Sequence, residues 1–142
     1  MSSGFIYAIG AAVTWGLVYT IDQKILSNTS PIALLFLDSI ITAIIILPFI
    51  FFNHDSVKTL LSSGKSNITL IVLSIVFALL ANFFIFSAIK NIGASSASII
   101  EIAYPFFVVL FSIIFFRIAP SLPFFLGGLL IFIGSAIITY FH

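Results

Sequence analysis

Two carboxylates stand inside apolar runs of this sequence, Glu101 in SIIEIAYPFFVV and Asp38 in LFLDSII. An ionisable group in an apolar segment is costly, and inside a membrane it marks a substrate or proton site by default. Pro105 follows Glu101 by one helical turn. Having no N–H, a proline at that spacing leaves the Glu101 carbonyl without its usual helical partner. The segment is therefore expected to kink near Glu101 and to offer a free acceptor beside a carboxylate. Broken helices of this kind are tolerated where the backbone lines a cavity, and transporters use them at binding sites. The chemistry on offer is exchange of a proton for a cationic or polar molecule. A structural alternative stands beside it: a protonated Glu101, hydrogen-bonded to Asn82 or Tyr104, that only fixes helix packing. Asp38 is either part of the same site or a group that Lys24 or Lys90 reaches from one membrane face.

The elements that must position these groups follow from composition. Of 142 residues, 62% are hydrophobic and 6% are charged, where a soluble domain is about one quarter charged. Five Lys/Arg and four Asp/Glu cannot clothe a water-facing surface, so the fold class is an all-α integral membrane protein. A span needs about 20 apolar residues to cross ~30 Å of hydrocarbon. Five stretches qualify, over about 4–21, 31–52, 69–89, 95–116 and 121–141, joined by short loops into a single unit covering 1–142. The first apolar run lacks a basic leader and is too long for a signal peptide, so it counts as a span. The polar segment NHDSVKTLLSSGKSN is the one longer connection, with room for a short interfacial helix around Val57, Leu60 and Leu61.

With five spans the two chain ends lie on opposite faces. The N-terminal face, side A, carries Lys58, Lys65 and Arg117, and the opposite face, side B, carries Lys24 and Lys90. Orientation follows the Lys/Arg asymmetry between faces, and here there is almost none. The near balance leaves two readings open: a slight bias that fixes one orientation, or insertion both ways. Dual insertion would let two copies pair antiparallel and build an inverted repeat from one chain.

Depth groups the polar residues. Trp15, Asp38, Asn82 and Glu101 come from four different spans, and each lies roughly 10 Å below the side-B surface at 1.5 Å per residue. In span one, Ala8, Ala12, Trp15, Tyr19 and Asp22 recur at helical spacing and share a face; in span four Ser95, Ser98, Glu101, Pro105 and Ser112 do the same. Small and polar faces should turn inward, leaving Phe, Ile, Leu and Val to lipid. The candidate substrate- or proton-binding set is Glu101, Asp38, Trp15, Asn82, Tyr19, Tyr104 and Ser98, with Pro105 as the kink. Tyr7 and Tyr140 read as interface anchors, and His54 and His142 as solvated side chains.

Span five, FFLGGLLIFIGSAI, places Gly127 and Gly134 two turns apart, with Gly128 and Ser135 beside them. Small residues at that spacing let helices approach closely and form a candidate dimer contact. Other function classes find no support. There is no cysteine, and the net charge is +1, which gives no basis for a nucleic-acid partner, a thiolate metal site or a disulfide. No glycine-rich phosphate loop, metal-ligand spacing or nucleophile–base set is present, and the flanks of Asp38 and Glu101 lack the pattern of an intramembrane aspartyl protease. No cofactor and no enzymatic activity are expected.

The opening IYAIGAAVTWGLVYTIDQKIL, followed by SP and a long apolar span, resembles the start of an EamA domain. FIFSAIKNIGASSASIIEIAYPFFVVLFSIIFF resembles its third and fourth helices, and GGLLIFIGSAI its closing helix. Nearly the whole chain thus resembles one five-helix unit of the drug/metabolite transporter superfamily. Larger relatives carry two such units in inverted orientation. The four-helix small multidrug resistance exporters are more distant kin that work as antiparallel dimers, with a glutamate in their first helix, so Glu101 is not its counterpart. The family often carries an arginine about where Asp38 stands, and a Gly-Glu pair where this chain has FFRIAP and Arg117. The inverted charge at Asp38 favours a cationic or neutral substrate over an anionic one.

The resemblance and the residues together imply a multi-pass transporter of the cell (plasma) membrane. Its expected partners are the lipid bilayer, a small-molecule substrate, and a second copy in a homodimer, antiparallel by preference. Transport would run by alternating access with Glu101 as the proton- or substrate-binding carboxylate. The rivals are a non-transporting accessory subunit of a larger membrane complex and a lipid flippase, which would need a lateral opening between spans.

Overall fold

The computed structural model describes residues 3–118 and 121–141; His142 lies outside them. The described residues form seven helices and no strands: α1 Ser3–Leu26, α2 Pro31–Phe52, α3 His54–Leu61, α4 Lys65–Ile92, α5 Ala94–Glu101, α6 Tyr104–Phe116 and α7 Leu122–Phe141. α5 and α6 together make one span, so five segments, 3–26, 31–52, 65–92, 94–116 and 122–141, are long and apolar enough to cross a membrane. The all-α membrane class and its five spans are thereby borne out.

Local chemistry sets the ends of these helices. Ser30 caps α2, its hydroxyl accepting from the Ala33 N–H at 3.2 Å, with Pro31 in the first turn, where its missing N–H costs nothing. α1 and α4 outrun the sequence expectation. α1 continues through the polar triplet DQK to Leu26, whose side chain is fully buried. The short α3 occupies the polar connection, where an interfacial helix was expected. Gly93 separates α4 from α5 with φ 82° and ψ 158°, a backbone region open essentially only to glycine.

Packing is concentrated at the side-B end. Tyr19, Leu26, Leu35, Ile85, Phe86, Ile89, Ala94 and Ala97 form one buried cluster, drawn from the side-B portions of α1, α2, α4 and α5. α4 is the central element, packing against α1, α2 and α5. α7 packs on α5 and α6, where Phe106 and Phe132 lie 5.3 Å apart and Val109, Gly128 and Ser135 are buried. Towards side A the picture reverses. Residues 3–17 of α1 and 36–52 of α2 are exposed throughout. In hydrocarbon such apolar faces carry no hydrophobic penalty, because lipid tails are as apolar as leucine. The side-B knot is thus what holds the polar layer in place.

Candidate binding site between α1 and the broken fourth span

α1 presents Trp15, Tyr19 and Asp22 along one face, at helical spacing. The Trp15 and Tyr19 rings lie 5.5 Å apart. Tyr19 is buried, and its hydroxyl donates to Oε2 of Glu101 at 2.6 Å. That length lies in the range of a charge-assisted O–H···O bond. It links α1 to the last residue of α5 across the bundle. Tyr19, rather than Asn82 or Tyr104, is therefore the partner of Glu101, and this corrects the structural alternative drawn from the sequence.

The fourth span breaks just past Glu101. The Ile102 N–H donates to the Ser98 carbonyl at 3.0 Å, the Ala103 N–H to Ile100 at 3.2 Å, and the Phe106 N–H to Ala103 at 3.1 Å. Pro105 has no N–H to return to the Glu101 carbonyl, so the α5 helix stops at the carboxylate and α6 restarts at Tyr104. The position of α5 is set at its other end. The Gln23 side-chain oxygen accepts from the Ala94 N–H at 2.7 Å, giving one of the free donors of the α5 start a partner. α1 thus holds α5 at both ends, through Gln23 and through Tyr19.

Asp22 is the residue that the sequence reading left out of the site. It is buried, with 7% exposure, and its Oδ2 has no hydrogen-bond partner. The signal was present in the sequence, since Asp22 shares the face of Trp15 and Tyr19. Span one reads in the sequence as ending at about Ile21, whereas the helix runs on to Leu26.

The other expected members are spread around this centre. Trp15 is half exposed, at 50%. Asp38 and Tyr104 are exposed, and Asn82 is half-buried on α4 without a side-chain hydrogen bond among the described residues. The Ser98 hydroxyl donates to the Ser95 carbonyl at 3.0 Å and so satisfies itself within α5. Lys90 donates to the Thr29 carbonyl at 2.7 Å. Neither Lys24 nor Lys90 pairs with Asp38: among the described residues no Lys or Arg lies within 4.0 Å of a carboxylate, and the one basic–acidic contact is between the exposed His54 and Asp55, at 3.6 Å on α3. In α7, Gly128 and Ser135 are buried within the chain, Gly134 is half-buried and Gly127 is exposed.

Two openings flank the centre. A polar cleft of about 580 Å³ at the side-B end is lined by Thr20, Gln23, Lys24, Ser27, Lys90 and Ser95, among others. An apolar groove of about 530 Å³ runs between α6 and α7, lined by Tyr104, Pro105, Val108, Pro123, Phe124, Gly127, Gly128 and Ile131. No group of three or more metal-ligating side chains is brought together among the described residues. What the arrangement can do is hold a proton or a cation at Glu101, beside the Trp15 and Tyr19 rings, whose faces attract positive charge.

Five apolar spans describe a multi-pass membrane protein. The model of the EamA-like transporter family matches residues 2–140. The chain belongs to that family, within the drug/metabolite transporter superfamily, and is a membrane transporter by descent. No curated protein and no solved structure matches it.

Proposed function

We propose that this chain is a proton-coupled secondary transporter of a small metabolite or organic cation. It works by alternating access, as a homodimer whose two copies insert antiparallel in the plasma membrane. The observation that carries the reading is the 2.6 Å bond from Tyr19 to Glu101, made where the fourth span is interrupted. A carboxylate held by a single phenol can exchange that bond for a proton or for a substrate cation. Because the helix ends beside it, α6 can move relative to α5 without disturbing the side-B knot. Five spans are few to enclose a pathway, and the side-A faces of α1 and α2 are left for a second copy.

The α6–α7 groove favours a second reading, an amphiphilic or lipid-like substrate. Its lining is almost wholly apolar, and Tyr104 and Pro105 place it next to Glu101. Purified protein in phosphatidylcholine–phosphatidylglycerol vesicles, under an imposed pH gradient, separates the readings. Accumulation of tetraphenylphosphonium that is lost in Glu101→Gln supports the cation transporter. Scrambling of a fluorescent phospholipid without cation uptake supports the flippase. Gradient-independent uptake by Glu101→Gln equal to wild type rejects the role of this carboxylate, and no activity of either kind moves the accessory-subunit reading forward.

A further inference from the structure

Among the described residues, α3 is the one helix that belongs to no span. It has eight residues, His54–Leu61, and an isolated helix shorter than about 12–15 residues is marginal in water. Its apolar side chains, Val57, Leu60 and Leu61, recur at spacings of three and four and share a face. Asp55 and Thr59 lie on the opposite face, and Lys58 stands at the border, beside Leu61 around the helix. The protein does not cover the apolar face: Val57 is half-buried, and Leu60 and Leu61 are exposed.

The position of α3 says what does. Asn53 alone separates it from the end of α2, and Ser62, Ser63 and Gly64 separate it from the start of α4. Both spans reach the side-A membrane surface there, so α3 lies within a few residues of the headgroup layer. Phe51 and Phe52, the last residues of α2, are exposed at 83% and 87% and carry the lipid-facing surface of that span up to α3. Charge points the same way. Lys58, Lys65 and Arg117 stand on this membrane face against the single carboxylate of Asp55, and neither lysine has an ion-pair partner among the described residues.

We propose that α3 docks on an anionic phospholipid surface, lying in the side-A headgroup layer with Val57, Leu60 and Leu61 in the acyl boundary and Lys58 and Lys65 on lipid phosphates. A helix with this division of faces binds an interface through its buried apolar area and through attraction to anionic lipid. A lysine at the border passes its stem over the apolar edge and keeps its ammonium at the level of the phosphates. The side-A halves of α1 and α2 lack the packing that the buried cluster gives at side B. With α3 seated in lipid, the headgroup layer holds the side-A ends of α2 and α4, as the buried cluster holds their side-B ends.

Spin labels measure this seat directly. The chain has no cysteine, so single cysteines introduced at Asp55, Thr59, Leu60 and Leu61 can each be labelled, and the full chain returned to phosphatidylcholine vesicles with or without phosphatidylglycerol. Relaxation by oxygen, which concentrates in hydrocarbon, and by a water-soluble nickel chelate then reports depth. In the mixed vesicles the oxygen-to-nickel ratio is expected to be several-fold higher at Leu60 and Leu61 than at Asp55 and Thr59. Omitting phosphatidylglycerol, or raising the salt, should shift Leu60 and Leu61 towards water, and Lys58→Gln combined with Lys65→Gln should abolish that shift. Equal ratios at all four positions place α3 in water and overturn the proposal. Labels at Leu60 and Leu61 that are shielded from both reagents assign the face to protein, a second copy included, and overturn it as well. So does a depth that is the same with and without phosphatidylglycerol, or a lipid-dependent shift that survives loss of both lysines. If the doubly substituted chain does not assemble, the salt and lipid dependence of the Leu60 and Leu61 labels decides alone. These spectra need no transport, so their failure is distinct from failure of the uptake experiment.

Discussion

Tyr19 is the residue on which the proposed site turns, because it is buried and its hydroxyl donates a hydrogen bond to Glu101. A hydrogen bond to a charged group contributes about 1.5–3 kcal/mol net, or roughly ten- to a hundredfold in an equilibrium constant. Tyr19→Phe keeps the ring against Trp15 and removes only that bond. It is therefore expected to change the half-saturating concentration of substrate cation by about ten- to a hundredfold, with protein yield and helicity unchanged. Concentration-dependent uptake into vesicles measures this, and an unaltered half-saturation would make the bond a packing detail. Of the site residues, Glu101, Tyr19, Trp15 and Asp38 were legible in the sequence because cost and spacing mark them. Asp22 was not, although it lies on the same face. A charged triplet such as DQK reads as the end of a span when burial is judged one residue at a time. Only the packing of Leu26 beyond it shows that the helix continues.

At the scale of elements, two junctions decide where Glu101 stands. Gly93 joins α4 to α5 at φ 82°, and a Cβ there would meet only the Gln23 Oε1, at 3.7 Å. The obstacle to a side chain is thus backbone strain rather than space. Gly93→Ala should cost about 1–3 kcal/mol and lower the thermal midpoint in detergent, whereas Gly127→Ala, inside α7 with nothing within 4 Å of its Cβ, should not lower it, since alanine is the better helix former. The second junction is the break before Tyr104. A kink was expected at Pro105 from its missing N–H, and the structure answers with an interruption at Ile102–Ala103. Pro48 shows why the residue type alone does not settle this, since α2 runs unbroken through it from Pro31 to Phe52. What distinguishes Pro105 is the long-range contact one turn earlier, where α5 is tied to α1, and no local pattern announces that. Pro105→Ala restores a donor to the Glu101 carbonyl and removes a helix penalty of up to about 3 kcal/mol. It should raise thermal stability and slow turnover together, whereas Pro48→Ala should raise stability with turnover intact. Equal effects of the two on turnover would show that the break is not a hinge.

Over the whole molecule, the two membrane faces are almost equally basic, and the packing is not. Lys24 and Lys90 both line the side-B cleft, while Lys58 and Lys65 sit on α3 and at the start of α4, with Arg117 just past α6. Orientation follows the Lys/Arg difference between faces, and three against two leaves both a single orientation and insertion both ways open. The fold gives dual insertion a use. The largest buried cluster lies at the side-B end, and residues 3–17 of α1 and 36–52 of α2 are left exposed towards side A. A second copy in the opposite sense would set its own knot beside those faces, and the two Glu101 centres would then open to opposite sides, as alternating access requires. The chain has no cysteine, so one introduced at Ser63, in the exposed connection between α3 and α4, reports orientation without background. In intact cells, an impermeant maleimide should label about half of the population, with the remainder labelled only after permeabilisation, as a near-neutral Lys/Arg bias implies. Adding two lysines beside Ser63 should drive labelling to one extreme and, if antiparallel pairs are the working unit, abolish uptake. Co-expression of an oppositely biased variant, with lysines added near Ser27, should then restore it. Labelling that is all or none in the unmodified protein would require a parallel dimer or a different opposite-facing partner, and the accessory reading would take the place of the self-sufficient transporter.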